Sequence, residues 1–268
     1  MKNIIGFIGC GNMGGALARA AAKSVHPESI YLANRSVAKA ADLAKELGAV
    51  ASSNWEIAAK ADFIFLGVKP QMMKEMLADI APVLATRTDR FILVSMAAGL
   101  TMAEIQTMAG GQYPVIRIMP NTPVAVGAGV ILYDQTHNVE KREVEQLRQI
   151  MAQAGLLDPL PENLLDAGAC VAGCGPAFAD LFLEALADGG VACGLPRAKA
   201  QMYAAQMLLG AAKLALETGK HPGELKDAVC SPGGSTIAGV RALEQHGFRA
   251  ACMDAVQAAC ERTKELGK

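Results

Sequence analysis

The first half of the chain alternates short apolar, β-branched runs with segments whose apolar positions recur every three to four residues. That alternation predicts a parallel sheet wrapped by helices. Residues 4–8 read as a first strand and 12–24 as the helix behind it, and 30–33 with 37–47 repeat the pair. Residues 62–66 form a further strand before a helix over 71–80, and 91–95 and 115–119 extend the sheet. A last strand near 130–133 and a charged helix over 138–154 close this half. Beyond about residue 160 no run has strand length. Ala-, Leu- and Met-rich helical stretches take over, broken at Gly194-Leu195-Pro196, His221-Pro222-Gly223 and Ser231-Pro232-Gly233-Gly234. The expected division is 1–160, an α/β domain, and 161–268, an all-helical domain. Residues 164–191 carry few charges and are apolar on more than one face, which calls for burial in a large core or against a second subunit.

Composition narrows the function classes. Of 268 residues 52% are apolar and 4% aromatic, enough for a sizeable core and biased toward helices rather than an all-β barrel. Lys and Arg number 25 against 26 Asp and Glu, a formal charge of −1, which argues against nucleic acid or an anionic membrane surface as the main partner. No uncharged run reaches the roughly 18–20 apolar residues of a membrane span, and the glycines from Gly9 onward interrupt any signal-peptide core. A soluble, cytoplasmic protein is expected. The seven cysteines are scattered without Cys-x-x-Cys spacing, and none of the four histidines has a second ligand nearby, so no metal site is expected.

The candidate chemistry sits at the strand ends. Gly9-Cys10-Gly11-Asn12-Met13-Gly14 follows a strand and opens a helix. The first glycine permits the tight turn, the second admits a pyrophosphate, and the third allows close helix packing, as in a Rossmann-type dinucleotide site. After strand two, where enzymes preferring NADH hold the ribose with an acid, stand Asn34-Arg35-Ser36. Arg35 is either a partner for a 2′-phosphate or a solvated loop charge. The first option favours NADPH, with NADH as an accepted second cofactor. Val68-Lys69-Pro70 follows the next strand and faces the same crevice, with Lys69 a proton donor, an anion contact or a surface lysine. Ser95-Met96-Ala97-Ala98-Gly99 offers small residues that admit a nicotinamide, and Asn121, in Arg117-Ile118-Met119-Pro120-Asn121-Thr122-Pro123, is a candidate hydrogen-bond partner for the nicotinamide or for loop backbone. In the helical half, Ser231-Pro232-Gly233-Gly234-Ser235-Thr236 is either an ordinary helix break or a turn whose exposed N–H groups bind a carboxylate.

Taken in order, these blocks resemble the pyrroline-5-carboxylate reductase family over nearly the whole length, most specifically at Val68-Lys69-Pro70, Ala187-Asp188-Gly189-Gly190-Val191 and Ser231-Pro232-Gly233-Gly234 with Thr236. The resemblance implies hydride transfer from NADPH or NADH to 1-pyrroline-5-carboxylate, giving L-proline in the last step of proline biosynthesis. It implies a Rossmann domain followed by a helical domain that interlocks with its twin, and dimers that assemble into decamers of five. Cofactor contacts carry over to Gly9, Cys10, Gly11, Asn12, Met13, Asn34, Arg35, Asn54, Val68, Lys69, Pro70, Ala97, Gly99 and Asn121, with Ser36 added from its place beside Arg35. Substrate contacts fall on Ser231, Gly233, Gly234, Ser235 and Thr236, with Thr236 the catalytic candidate beside the ring nitrogen. Two departures stand out. The family's Ser-Gly-Ser-Gly-Pro-Ala-Tyr is here Ala172-Gly173-Cys174-Gly175-Pro176-Ala177-Phe178, three hydroxyls fewer, and position 228 is Ala228. Rival readings are a hydroxyacid dehydrogenase, which needs a lysine where Ala177-Phe178-Ala179-Asp180 has none, an imine or F420-linked reductase, and a non-enzymatic nucleotide sensor.

Overall fold

Runs such as Ile-Gly-Phe-Ile, Phe-Ile-Phe-Leu and Ile-Leu-Val-Ser lack polar alternation, as strands covered on both faces require. In the computed structural model, which describes residues 3–266, they lie in one eight-stranded sheet. Its strands are β1 (Ile5–Ile8), β2 (Ile30–Ala33), β3 (Val50–Ala51), β4 (Phe63–Leu66), β5 (Ile92–Ser95), β6 (Val115–Pro120), β7 (Gly129–Gln135) and β8 (Gly155–Pro159). The order is β3-β2-β1-β4-β5-β6-β7-β8, and every pairing is parallel except β6 with β7. The order reverses direction at β1, between β2 and β4, which is where an open α/β sheet leaves a crevice at its carboxyl edge. Helices α1 (Asn12–Ala22), α2 (Val37–Leu47), α3 (Asn54–Lys60), α4 (Pro70–Thr86), α5 (Met102–Ala109), α6 (Lys141–Ile150) and α7 (Glu162–Ala172) accompany the strands. Separate apolar clusters form on the two sides of the sheet, one including Phe7, stacked on Phe65 at 4.5 Å, the other Ile64, Met73 and Ile105.

The remaining helices are α8 (Gly175–Ala192), α9 (Arg197–Thr218), α10 (Pro222–Val229), α11 (Ser235–Gln245) and α12 (Phe248–Leu266). One compact unit runs to Cys174 and regains the chain from Ala259, and the other is Gly175–Ala258. The α/β domain followed by helices is the class expected from the pattern. The apolar stretch 164–191 is two helices, since the chain breaks at Gly173-Cys174 between α7 and α8. Among the described residues, Glu162–Ala192 is the one stretch long and apolar enough, by length and composition, to cross a membrane.

Four elements lie outside the strands and helices expected. Short α3 and α5 escape a periodicity search but carry start signals. Ser53 Oγ accepts the Glu56 N–H at 3.1 Å, and Thr101 and Glu104 form a reciprocal capping box. The two-residue β3 has almost no pattern of its own. The helix expected to reach residue 154 stops at Ile150, and Gly155, at a φ of +128°, starts β8 instead. Conversely α4 runs past residue 80 to Thr86 through Pro82, with Leu84 buried in the core.

Arg90, on the approach to β5, grips α6. Its guanidinium holds both oxygens of Glu143, at 2.5 and 2.9 Å, and Glu143 is 5% exposed. Burial pushes the Glu143 carboxyl up, but the Arg90 hydrogen bonds, the Glu140 N–H and the charges of Arg90 and Arg142 outweigh it and leave it below its ordinary value of 4.5. A carboxyl depressed by folding adds stability above its unfolded pKa and loses it as pH falls through the folded one. Glu143→Gln should therefore lower the melting temperature at pH 7, with the gap to wild type closing as pH drops below 4.5. A gap independent of pH in scanning calorimetry would assign the loss to packing alone.

Candidate active site

Where β1 enters α1, backbone meets backbone with no side chain between. Gly9 has a φ of +102°, and a Cβ there would sit 2.6 Å from the Gly67 carbonyl carbon beyond the end of β4. A Cβ on Gly14 or on Gly67 would fall on the Gly9 carbonyl oxygen. These three glycines are demanded by the fold. Gly11 is not: its φ is −72°, and no atom lies within 4 Å of where its Cβ would be. It is the N-cap of α1, which has no side chain over its end and no acid in its first turn. Space left by a missing side chain, at an uncapped helix N-terminus, fits a dinucleotide's pyrophosphate.

Gly9 and Gly11 open into a cleft of about 900 Å³. Asn34, Arg35 and Ser36 line it from the end of β2, and Asn54, Val68 and Lys69 from the ends of α3, β4 and α4. Asn34 braces this corner: its Oδ1 accepts the Cys10 N–H and its Nδ2 donates to the Ser36 carbonyl, both at 3.2 Å. Arg35 is exposed and reaches Met72 Sδ at 3.9 Å. Ser36 precedes α2 but makes no capping bond, so its hydroxyl remains available to an anion. Lys69 stands exposed at the N-cap of α4, with Pro70 at the first helical position, where its missing N–H costs nothing. Lys39, Glu75 and Asp79 also line the cleft. Lys39 follows Arg35 by four residues, one turn into α2, a spacing visible in the sequence but meaningless until the cleft is seen.

Other expected cofactor residues have different surroundings. Cys10 Sγ is buried and donates to the Ala33 carbonyl at 3.4 Å, and burial raises the thiol to about 11 despite that bond. What it offers a ligand is backbone. Asn12 is exposed at the start of α1, and Met13 is half-buried against the core. Ala97 is 1% exposed, its N–H 3.4 Å from Ser95 Oγ, and Gly99 turns the following loop at a φ of +75°. Asn121, expected to bond either the nicotinamide or loop backbone, bonds backbone here. Its Oδ1 accepts the Val130 N–H and its Nδ2 donates to the Ala172 carbonyl, both at 2.9 Å. The amide is engaged at both ends by backbone, which gives it a structural role.

In the helical unit the Gly234 N–H donates to the Ser231 carbonyl at 3.0 Å. This closes a tight turn with Pro232 and Gly233 at its centre, and Gly233 takes the positive φ, +68°, that such a turn needs at its second central residue. A Cβ on Gly234 would fall on Ser231 Oγ. Gly234 is the N-cap of α11, with no side chain closing the helix end, and Ser231, Gly233, Ser235 and Thr236 are exposed. An open helix start with hydroxyls on both sides suits a small carboxylate. Among the described residues, no group of His, Cys, Asp and Glu is arranged to hold a metal ion.

Comparison with known proteins adds the following. Residues 162–266 match the family described as pyrroline-5-carboxylate reductase dimerisation, and 4–99 match the one described as NADP oxidoreductase coenzyme F420-dependent. The chain is 40% identical to the pyrroline-5-carboxylate reductase of Escherichia coli over 100% of both chains, and 43% identical to that of Synechocystis over 98% of both. The crystal structure of Plasmodium falciparum pyrroline carboxylate reductase with NADP bound superposes with a TM-score of 0.86 at 32% identity, covering 100% of both chains.

The two kinds of glycine in the first turn can be separated. Gly11→Val should melt within about 2 °C of wild type yet lose at least about tenfold in dinucleotide affinity. Gly14→Val should lower the melting temperature by about 10 °C or more. Calorimetric melting and titration with the cofactor check both, and a destabilised Gly11→Val would make that position structural too.

Proposed function

The chain belongs to the pyrroline-5-carboxylate reductase family, and on that premise we propose how its two halves divide the reduction of 1-pyrroline-5-carboxylate to L-proline by NAD(P)H. It is an oxidoreductase acting on a C=N bond. The substrate is a cyclic imine bearing a carboxylate, and protonation of its nitrogen makes the ring carbon electrophilic. The bound dinucleotide supplies the hydride. Positioning and electrostatics are left to the protein.

Residues 1–160 hold the cofactor. Gly11 and the first turn of α1 take the pyrophosphate, with Asn12 and Met13 contributing backbone there. Arg35 and Ser36 take the 2′-phosphate, which makes NADPH the preferred cofactor and NADH a secondary one. Ala97 and Gly99 flank the nicotinamide. Residues 161–268 bind the substrate and form the dimer. N–H groups at Ser235 and Thr236, at the open start of α11, hold the carboxylate, and Thr236 Oγ orients the ring nitrogen and relays a proton. The open end of α11 is the observation that carries this reading, because a carboxylate held by backbone needs no cationic side chain. The hydroxyls absent at Ala172, Cys174 and Phe178 are then dispensable to the reaction.

An F420-linked reductase shares only the nucleotide-binding half, since that match ends at residue 99, whereas the half that selects the substrate carries the reductase dimerisation match. The same match covers the apolar α7 and α8, which supports a subunit interface rather than a lipid bilayer as their cover. The assembly we propose is a cytoplasmic homodimer that builds further into a decamer of five dimers.

Oxidation of NADPH with 1-pyrroline-5-carboxylate as acceptor tests the activity directly. Arg35→Ala should weaken NADPH by about tenfold or more and NADH by less than about twofold. Equal losses would remove the phosphate assignment. Thr236→Ala should lower turnover roughly ten- to a thousandfold, the scale of one lost transition-state hydrogen bond or proton relay, with cofactor affinity unchanged. Wild-type turnover in that variant would leave the loop structural only.

A further inference from the structure

Arg117 lies on β6 between Ser95 of β5 and Asp134 of β7, with 2% of its surface exposed. A guanidinium so placed carries a heavy desolvation cost, and a well-packed apolar side chain of similar size often serves stability as well. Two carboxylates from successive turns of α7 meet it: Asp166 Oδ1 lies 2.6 Å from Nη2 and Glu162 Oε1 lies 3.6 Å from Nη1. Among the described residues, its Nε has no hydrogen-bond partner. The same Glu162 Oε1 also accepts the backbone N–H of Met102, at 2.7 Å and across 60 positions of sequence.

Met102 is the first residue of α5, and its N–H is one of the donors a helix start leaves unpaired. The capping box satisfies the N–H groups of Thr101 and Glu104 and leaves that of Met102 to Glu162. The carboxylate comes from a braced element. At one end of α7 the Glu162 N–H donates to Asp134 Oδ2 at 2.6 Å, and at the other the Ala172 carbonyl accepts from Asn121 Nδ2 at 2.9 Å. The segment 96–101, between β5 and α5, is thereby pinned at both ends: by β5, with Ser95 fully buried, and by Glu162 at the first N–H of α5. It carries Ala97 and Gly99.

We propose that Glu162 is a positioning residue: held by Arg117, its carboxylate fixes the 96–101 segment and so the surface against which the nicotinamide ring lies. This rests on the assignment of Ala97 and Gly99 to that end of the cofactor. The buried charges then serve geometry, which accounts for an arginine where an apolar residue would pack.

The test compares the binding of NADPH and of 2′-phospho-ADP-ribose, the same nucleotide without the nicotinamide, to the full-length protein by titration calorimetry. The ratio of the two affinities isolates the ring. Glu162→Ala should reduce that ratio about tenfold, the scale of one charge-assisted hydrogen bond, through NADPH alone, with the fragment within about twofold of wild type. Glu162→Gln retains an oxygen for the Met102 N–H and should keep the ratio within about threefold. Met102→Pro deletes the N–H from the other side, at a helix position where proline is accepted. It should reproduce the loss with Glu162 and Arg117 intact, Met102→Leu serving as control for the missing side chain. Equal weakening of both ligands in Glu162→Ala and Met102→Pro would mark general damage and overturn the proposal, as would an unchanged ratio in both. A wild-type protein that binds NADPH no tighter than the fragment would remove the underlying nicotinamide assignment, and the proposal with it.

Discussion

The nucleotide-binding half depends on one steric constraint, the contact of three backbone segments at Gly9, Gly14 and Gly67. No side chain fits between them. The carbonyl of Gly9 faces both the first turn of α1 and the residue that follows β4, so strand, helix and neighbouring strand are set against one another to within a fraction of an ångström. The direction of α1 follows, and with it the direction of the N–H groups at its start. Gly11, free of any such demand, leaves open space at the start of α1. The fold requires Gly9 and Gly14 and leaves Gly11 without a steric demand, although all three are the same residue in one short motif.

The two candidate anion sites use the same device with different selectivity. Each is a helix start without a side-chain cap, preceded by glycine: Gly11 before α1 and Gly234 before α11. At the first, the cleft continues to Arg35 and Lys39, which add positive charge suited to a phosphate, and to the Ser36 hydroxyl. At the second the flanking groups are the hydroxyls of Ser231, Ser235 and Thr236, matched to a singly charged carboxylate beside a ring nitrogen. Cationic side chains are thus concentrated at the first site and neutral hydroxyls at the second, which is the division the proposed cofactor and substrate roles call for.

Much of this was determined by the sequence alone. Strand runs without polar alternation, helices of regular period, the glycine spacing after β1, Arg35 in place of an acid and the Pro-Gly-Gly turn before α11 are all local, because each depends on backbone angles or on neighbours within a few residues. Even α3 and α5, too short for periodicity to register, are locally encoded in the caps at Ser53 and Thr101. Tertiary structure alone decided the rest. Gly67 is an unremarked glycine until Gly9 is brought against it. Asn121 had two open roles until Val130 and Ala172 took both ends of its amide. Lys39 joined the cleft only when the ends of β1 and β4 were brought beside α2, and Glu162 reached Met102 only when α7 packed against β6 and β7. In each case a deciding partner lies well beyond the neighbouring residues, and a side chain with several possible partners acquires one only when packing excludes the others.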